Sequence, residues 1–134
     1  MAAGRGVDLF VNARTDVYLR GLAGEDQRVA EALARAKRYR DAGADGLFVP
    51  GLADAGQIGE VVAGAELPLN VMAVPALPTA SELEALGVRR LSAGAAISIS
   101  AMGHVASLAA GFLQDSQRTE AIDYGAINAL FQQR

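Results

Sequence analysis

The 134-residue sequence predicts an α/β fold in which strands and helices alternate along the chain. Short apolar runs are each followed by a segment whose apolar residues recur at helical spacing. The last three predicted strands begin about 21 residues apart, which is a spacing natural to strand–helix units. Such an alternation implies parallel strands joined by right-handed crossovers.

The first strand–helix unit occupies the N-terminal third of the chain. The apolar run Val7–Val11 is predicted to be a strand, and the polar segment Asn12–Asp16 is predicted to be the loop that follows it. A helix is predicted over Asp26–Ala42 because apolar side chains repeat on one face there. Gly43 suits the end of this helix, since glycine readily adopts the left-handed conformation found there.

The remaining elements repeat the alternation within one predicted domain, residues 1–134. The predicted strands are Gly46–Val49, Leu67–Met72 and Val88–Ser92, and the predicted helices are Ala55–Ala63, Thr79–Leu86, Ala96–Leu113 and Ile122–Phe131. Thr79 and Glu82 form a capping-box pattern. Four such units fit either a small open sheet with helices on both faces or half of a (β/α)₈ barrel, which usually needs ~250 residues when whole. Periodicity does not choose between these two architectures.

Composition narrows the class of protein. Hydrophobic residues make up 51% of the chain and aromatic residues only 5%, so the core is expected to be aliphatic. The net charge of −3 and the absence of a basic patch argue against nucleic-acid binding. There is no cysteine for disulfides or thiolate ligands, and no apolar run is judged to reach the ~18 residues of a membrane span, so no span is expected. We therefore expect a soluble cytoplasmic protein.

Four segments together carry a resemblance to a known family. They are Phe10–Asp16, which contains Asn-Ala-Arg-Thr-Asp, then Ala36–Gly51, Leu67–Met72 and Leu86–Gly94. In order and spacing they resemble the isocitrate lyase/phosphoenolpyruvate mutase superfamily, whose equivalent segments are strands five to eight of the barrel. The resemblance implies that this chain is the C-terminal half of a (β/α)₈ TIM barrel, without a counterpart of the first four strands.

The same resemblance implies a chemistry. Members of the superfamily make or break C–C or P–C bonds next to a carboxylate, on substrates such as oxaloacetate, methylisocitrate or phosphonopyruvate. They use Mg²⁺ held by acidic residues of the N-terminal half, so no metal ligand is expected in this chain and the chain alone is expected to be inactive. Pro50 and Gly51 stand where lyase members commonly carry an acidic residue, which makes the chain more similar to the phosphonomutase-like branch.

Three residues are predicted to bind substrate. Arg14 follows a strand's carboxyl end, where barrel enzymes build their active sites, and its guanidinium fork matches carboxylate or phosphonate oxygens. The resemblance gives its equivalent the role of anchoring an acidic substrate group, and the alternative is an ion pair with Asp16 or Asp45. Asn12 lies on the same loop and could instead form a turn. Asn70 interrupts an apolar strand and could instead be a core amide with a satisfied partner.

Other interpretations of the sequence remain open. His104, the lone histidine, lies in an apolar helix without a recognisable catalytic neighbour, and no catalytic residue is assigned. The chain could be a non-catalytic or degenerate barrel domain that binds small anions, or an open flavodoxin-like module. Because a half barrel leaves strand edges and one sheet face uncovered, we expect it to form a homo-oligomer or to associate with a missing N-terminal half.

Overall fold

A computed structural model describes residues 8–115 and Ala129. The chain divides into two compact units, Met1–Gly94 and Ala95–Arg134. The sheet lies in the first unit and one long helix lies in the second. The predicted helix Ile122–Phe131 lies outside the described residues apart from Ala129, and the prediction of a single domain stays a prediction.

The element order confirms the alternation of strands and helices. The strands are β1 (Asn12–Arg14), β2 (Gly46–Phe48), β3 (Leu69–Met72) and β4 (Arg90–Ser92), and the helices are α1 (Arg28–Asp41), α2 (Ala55–Ala65), α3 (Ala80–Ala85) and α4 (Ala96–Asp115), with a 3₁₀ turn at Glu25–Gln27. All strand pairs are parallel and the sheet order is β1-β2-β3-β4. Each crossover therefore moves one strand in the same direction. The described sheet has no reversal of direction, so the flavodoxin-like alternative, which needs one at its switch point, is wrong.

The core lies between one face of the sheet and helices α1 and α2. Leu47 and Val49, from β2 and the residue after it, and Leu69 and Val71 of β3 are almost completely buried. They form one cluster with residues of α1 and α2 such as Ile58. Each such aliphatic side chain contributes about 1.5–3 kcal/mol by leaving water. The core is aliphatic, as the composition predicted.

The first strand begins later than the apolar pattern predicts. The structure places β1 at Asn12–Arg14 and assigns no strand to residues 8–11, so the predicted loop residues are in fact the strand. Backbone pairing explains the difference, since Gly46 N donates to Val11 O at 3.2 Å and Thr15 N donates to Phe48 O at 2.9 Å. The ladder to β2 thus selects the polar segment, whose alternate side chains turn away from the core.

Two helix ends, at Thr79 and at Gly43, follow the predicted capping signals. The Thr79 hydroxyl accepts from Glu82 N, and the Glu82 carboxylate accepts from Thr79 N at 2.8 Å, which completes the capping box of α3. Asp54 accepts from Gln57 N at 2.9 Å and caps α2. Gly43 follows α1 with φ of +90°, a conformation that glycine adopts at little cost.

The second unit contains α4, whose apolar side chains are exposed. Ile97, Met102 and Leu113 are among the large hydrophobic residues with more than half of their surface accessible. The segment Ala96–Gln114 has a mean hydropathy of 1.6 and, by length and composition alone, could cross a membrane. This length differs from the prediction that no apolar run reaches that of a membrane span.

Candidate functional site

One face of the sheet carries polar side chains, and helices α1 and α2 pack on the other. The strand register aligns Arg14 with Phe48, Phe48 with Asn70, and Asn70 with Arg90, so these four residues form one row across the sheet. Because strand side chains alternate between faces, residues two positions away share this side. The strand residues of this inner face are Asn12, Arg14, Gly46, Phe48, Asn70, Met72, Arg90 and Ser92.

The structure brings Asn12 and Asn70 to the same cavity. The cavity has a volume of about 380 Å³ and is lined by Phe10, Asn12, Pro68, Asn70, Arg89 and Arg90. Asn70 is 3% exposed, and its Oδ1 accepts a hydrogen bond from the Ser92 hydroxyl at 3.0 Å. The alternative prediction for Asn70 was a buried amide with a satisfied partner. The Asn70 oxygen has such a partner in Ser92.

Gly46 makes the space in which Asn12 lies. A Cβ added at this position would stand 2.9 Å from Asn12 Oδ1 and 3.0 Å from two atoms of the Phe10 ring. Both distances are shorter than normal van der Waals contacts. The lack of a side chain at the first residue of β2 thus allows the amide and the ring to cover the inner face.

Arg14 stands on the same face, at the carboxyl end of β1, and does not line that cavity. Its Nε donates to Asp16 Oδ1 at 2.6 Å, and its guanidinium lies 5.6 Å from the centre of the Phe48 ring. Asp16 also lies 3.4 Å from Arg20 Nε. The alternative ion pair with Asp16 therefore exists. The described residues show no pair between Arg14 and Asp45, whose carboxylate accepts from the backbone N–H of Val11 at 2.7 Å.

The ion pair orients Arg14 without using up its donors. A guanidinium has five N–H groups, and the hydrogen bond to Asp16 uses the one on Nε. The Arg14 side chain is 49% exposed. Asp16 on one side and the Phe48 ring on another thus hold a cation that water still reaches, which is a suitable arrangement for meeting a small anion.

Two residues that follow Arg14 in the chain, Thr15 and Tyr18, are buried or partly buried. Thr15 is 1% exposed, and its hydroxyl has no hydrogen-bond partner among the described residues. Burial raises the pKa of the Tyr18 phenol above its ordinary value of 10.0, so the phenol stays protonated near neutral pH.

Three inner-face residues belong to no sequence motif that identifies a site. They are Gly46, Arg90 and Ser92. The signal that could have found Arg90 and Ser92 is the period-two alternation in Arg89-Arg90-Leu91-Ser92, which places both on the side opposite Leu91.

The described part of the chain does not suit a metal ion. Residues 8–115 and Ala129 contain no group of three or more His, Asp or Glu side chains arranged to hold one. His104 lies exposed on α4. The inner face offers amides, hydroxyls and guanidinium groups, whereas hard divalent cations prefer carboxylate oxygens.

The sequence profile of phosphoenolpyruvate phosphomutase matches residues 1–113. The chain belongs to the phosphoenolpyruvate phosphomutase family. An uncharacterised protein of Mycobacterium tuberculosis is 37% identical to it over 127 residues, which are 93% of this chain and 47% of that protein.

Solved structures agree with this assignment. A candidate lyase/mutase from Burkholderia cenocepacia J2315 superposes with a TM-score of 0.81 at 33% identity and covers 96% of this chain and 47% of its own. A candidate phosphonomutase from the same organism has a TM-score of 0.72 at 44% identity, covering 78% and 43%. The 2,3-dimethylmalate lyase, a member of the phosphoenolpyruvate mutase/isocitrate lyase superfamily, has a TM-score of 0.72 at 25% identity, covering 90% and 43%.

These matches confirm the predicted superfamily and barrel class. The chain spans about half the length of the relatives it matches. Its parallel sheet is the C-terminal half of a TIM barrel, in which β1 to β4 correspond to strands five to eight. The inner face of the sheet is therefore the side that faces the interior of the complete barrel.

Proposed function

We propose that this chain is the substrate-anchoring half of an enzyme that makes or breaks a C–C or P–C bond next to a carboxylate. The substrates are small anions of the oxaloacetate, methylisocitrate or phosphonopyruvate type. The observation that supports the proposal is the exposed guanidinium of Arg14, oriented by Asp16 at the carboxyl end of β1 in a sheet of this family. Barrel enzymes place their reacting groups at this end of the strands.

Each residue has a separate task in this proposal. The fork of Arg14 binds a carboxylate or phosphonate group, which orients the substrate and neutralises charge that grows near the reacting bond. The amide of Asn70 has its oxygen engaged by Ser92, so its N–H groups are the ones available to substrate oxygens. Asn12 adds a second amide, which lines the same 380 Å³ cavity as Asn70.

The family implies Mg²⁺, and the described residues do not fit it. We therefore assign the metal to residues of the complementary half barrel and expect the 134-residue chain alone to be inactive. Cytoplasmic location, absence of nucleic-acid and membrane partners, and assembly as a homo-oligomer or with the complementary half belong to the same proposal.

A joined enzyme tests the proposal. The chain is fused to the part of the Mycobacterium tuberculosis relative that lies outside its match, and the fusion is assayed with Mg²⁺ on oxaloacetate, 2-methylisocitrate and phosphonopyruvate. We expect Arg14→Gln to lower kcat/KM by a factor of about 100, the equivalent of roughly 3 kcal/mol of charge-assisted hydrogen bonding. Arg14→Lys keeps the charge without the fork and recovers part of the loss.

The matched control is Arg38→Gln, which removes the same charge from an exposed position of α1. It should leave kcat/KM unchanged. Equal turnover by the Arg14→Gln and Arg38→Gln fusions would show that Arg14 does not anchor substrate.

A further inference from the structure

Arg90 is a cation on the inner face whose charge has no partner in the described structure. It takes part in no ion pair with the side chains described for residues 8–114. It lies in the same row as Asn70 and lines the same cavity as Asn12. The inner-face strand positions contain two arginines and no carboxylate. Asp16 lies two residues beyond the end of β1.

The place of Arg90 along its strand separates it from the substrate-binding end. Arg90 and Arg14 share one row, but the strands of a barrel tilt by about 36° from its axis, so the row descends from Arg14, the last residue of β1, to Arg90, the first residue of β4. Substrates of barrel enzymes bind at the carboxyl ends of the strands, and the interior below them is filled by packed side chains. Arg90 therefore faces the packed interior of the complete barrel.

A guanidinium in such an interior needs an acceptor. An unpaired charge is strongly disfavoured away from water, and the amides of Asn12 and Asn70 do not neutralise it. The described sheet has four strands, whereas a complete barrel of this class has eight, so the described residues leave this face uncovered. The acceptor must come from what covers the inner face.

A second copy of the chain does not supply that acceptor. Two copies closing one barrel would bring two Arg90 and two Arg14 side chains into one interior, with no carboxylate at any inner-face strand position. Like charges buried together disfavour this pairing strongly. The inner face matches a surface of opposite charge.

We propose that the inner face docks on a complementary half barrel that places a carboxylate side chain opposite Arg90, and that this ion pair selects that half over a second copy of the chain. The proposal assigns Arg90 a role in assembly beneath the substrate-binding end. It rests on the fold and on charge, not on which reaction the complete enzyme performs.

Thiol protection tests this directly, since the chain has no cysteine. Met72→Cys puts a single thiol on the inner face, and its reaction with a maleimide reports whether that face is covered. The half of the Mycobacterium tuberculosis relative that lies outside the match should slow labelling by more than tenfold. An excess of the unmodified chain tests whether a second copy covers the face, and it should change the labelling rate by less than twofold.

The role of Arg90 is tested in the same assay. Arg90→Glu should raise the concentration of the complementary half that gives half-protection by about a hundredfold or more, as expected for a broken buried pair. Arg38→Glu, an identical charge reversal on the outer helix α1, should leave it unchanged. A fusion of the two halves gives the second measurement, in which Arg90→Glu should expose the thiol and Arg38→Glu should not.

Four results would overturn the proposal. The first is protection of the thiol by an excess of the unmodified chain, and the second is protection by malonate, a small dicarboxylate, in place of the half barrel. The third is no protection by the half barrel, either added separately or fused to the chain. The fourth is protection that survives Arg90→Glu. None of these measurements uses turnover. The docking proposal is therefore tested independently of the proposed function, which is tested by the activity of the fusions that carry Arg14 variants.

Discussion

The hydrogen bond between Ser92 and Asn70 offers a measurable test of how the inner face is built. The Ser92 hydroxyl donates to Oδ1 of an amide that is 3% exposed, at 3.0 Å. Asn70→Ala leaves that hydroxyl without its acceptor, so we expect a loss of about 1–3 kcal/mol in the free energy of unfolding. Ser92→Ala leaves the buried amide oxygen unpaired and should cost a similar amount.

A double-mutant cycle isolates the bond itself. Urea unfolding followed by circular dichroism gives the free energy for the parent, both single variants and the double variant. A neutral hydrogen bond contributes about 1 kcal/mol net, so the coupling energy should be close to that value. Ser98→Ala is the matched control, because the Ser98 hydroxyl donates to the backbone of Ala95 within the second unit. Coupling below about 0.3 kcal/mol, the usual limit of additivity, would refute the assignment.

Three further predictions concern other parts of the chain. The 134-residue chain alone, with Mg²⁺ and either oxaloacetate or 2-methylisocitrate, should turn over more slowly than ~1 s⁻¹, and a normal enzyme rate would refute its dependence on a second half. Gly46→Ala, whose Cβ would meet Asn12 Oδ1 at 2.9 Å, should lower the free energy of unfolding by about 1–3 kcal/mol. Gly59→Ala, where the nearest atom is 3.9 Å away, should instead raise it by roughly 1 kcal/mol in helix α2, so equal effects of the two would contradict the crowding argument. Hydrogen bonds from Thr79 lower the pKa of Glu82 below its ordinary value of 4.5, so its contribution to stability is complete above that pH and is lost as the pH falls through the lowered pKa. Urea titrations at several acidic pH values should show that Glu82→Gln flattens this decline, and an unchanged slope would contradict it.

Local signals in the sequence predicted most of the fold. The capping pair Thr79 and Glu82 begins α3 as expected, since the bonds that form it join residues three apart. Gly43 ends α1 for a similarly local reason. The start of β1 was predicted wrongly because the ladder to β2, more than thirty residues away, decides which residues pair.

The candidate site was predicted only in part. Asn12 and Asn70 share a cavity and Arg14 stands on the same face, as their positions after or within strands suggested. Their substrate-binding role stays a prediction. The bond from Ser92 to Asn70 could not be predicted, because the two residues are 22 positions apart and meet only through the register of β3 and β4.

By itself, the sequence determined the class of the protein: an aliphatic α/β chain, with ordered motifs of one superfamily and about half of a barrel's length. Those properties depend on composition, periodicity and local spacing, which the chain carries in one dimension. Only the tertiary structure decided that Arg14, Asn70 and Arg90 lie in one row, with Gly46 making room beside it. Parallel register and the alternation of side chains set that arrangement, and both depend on which strands become neighbours in space.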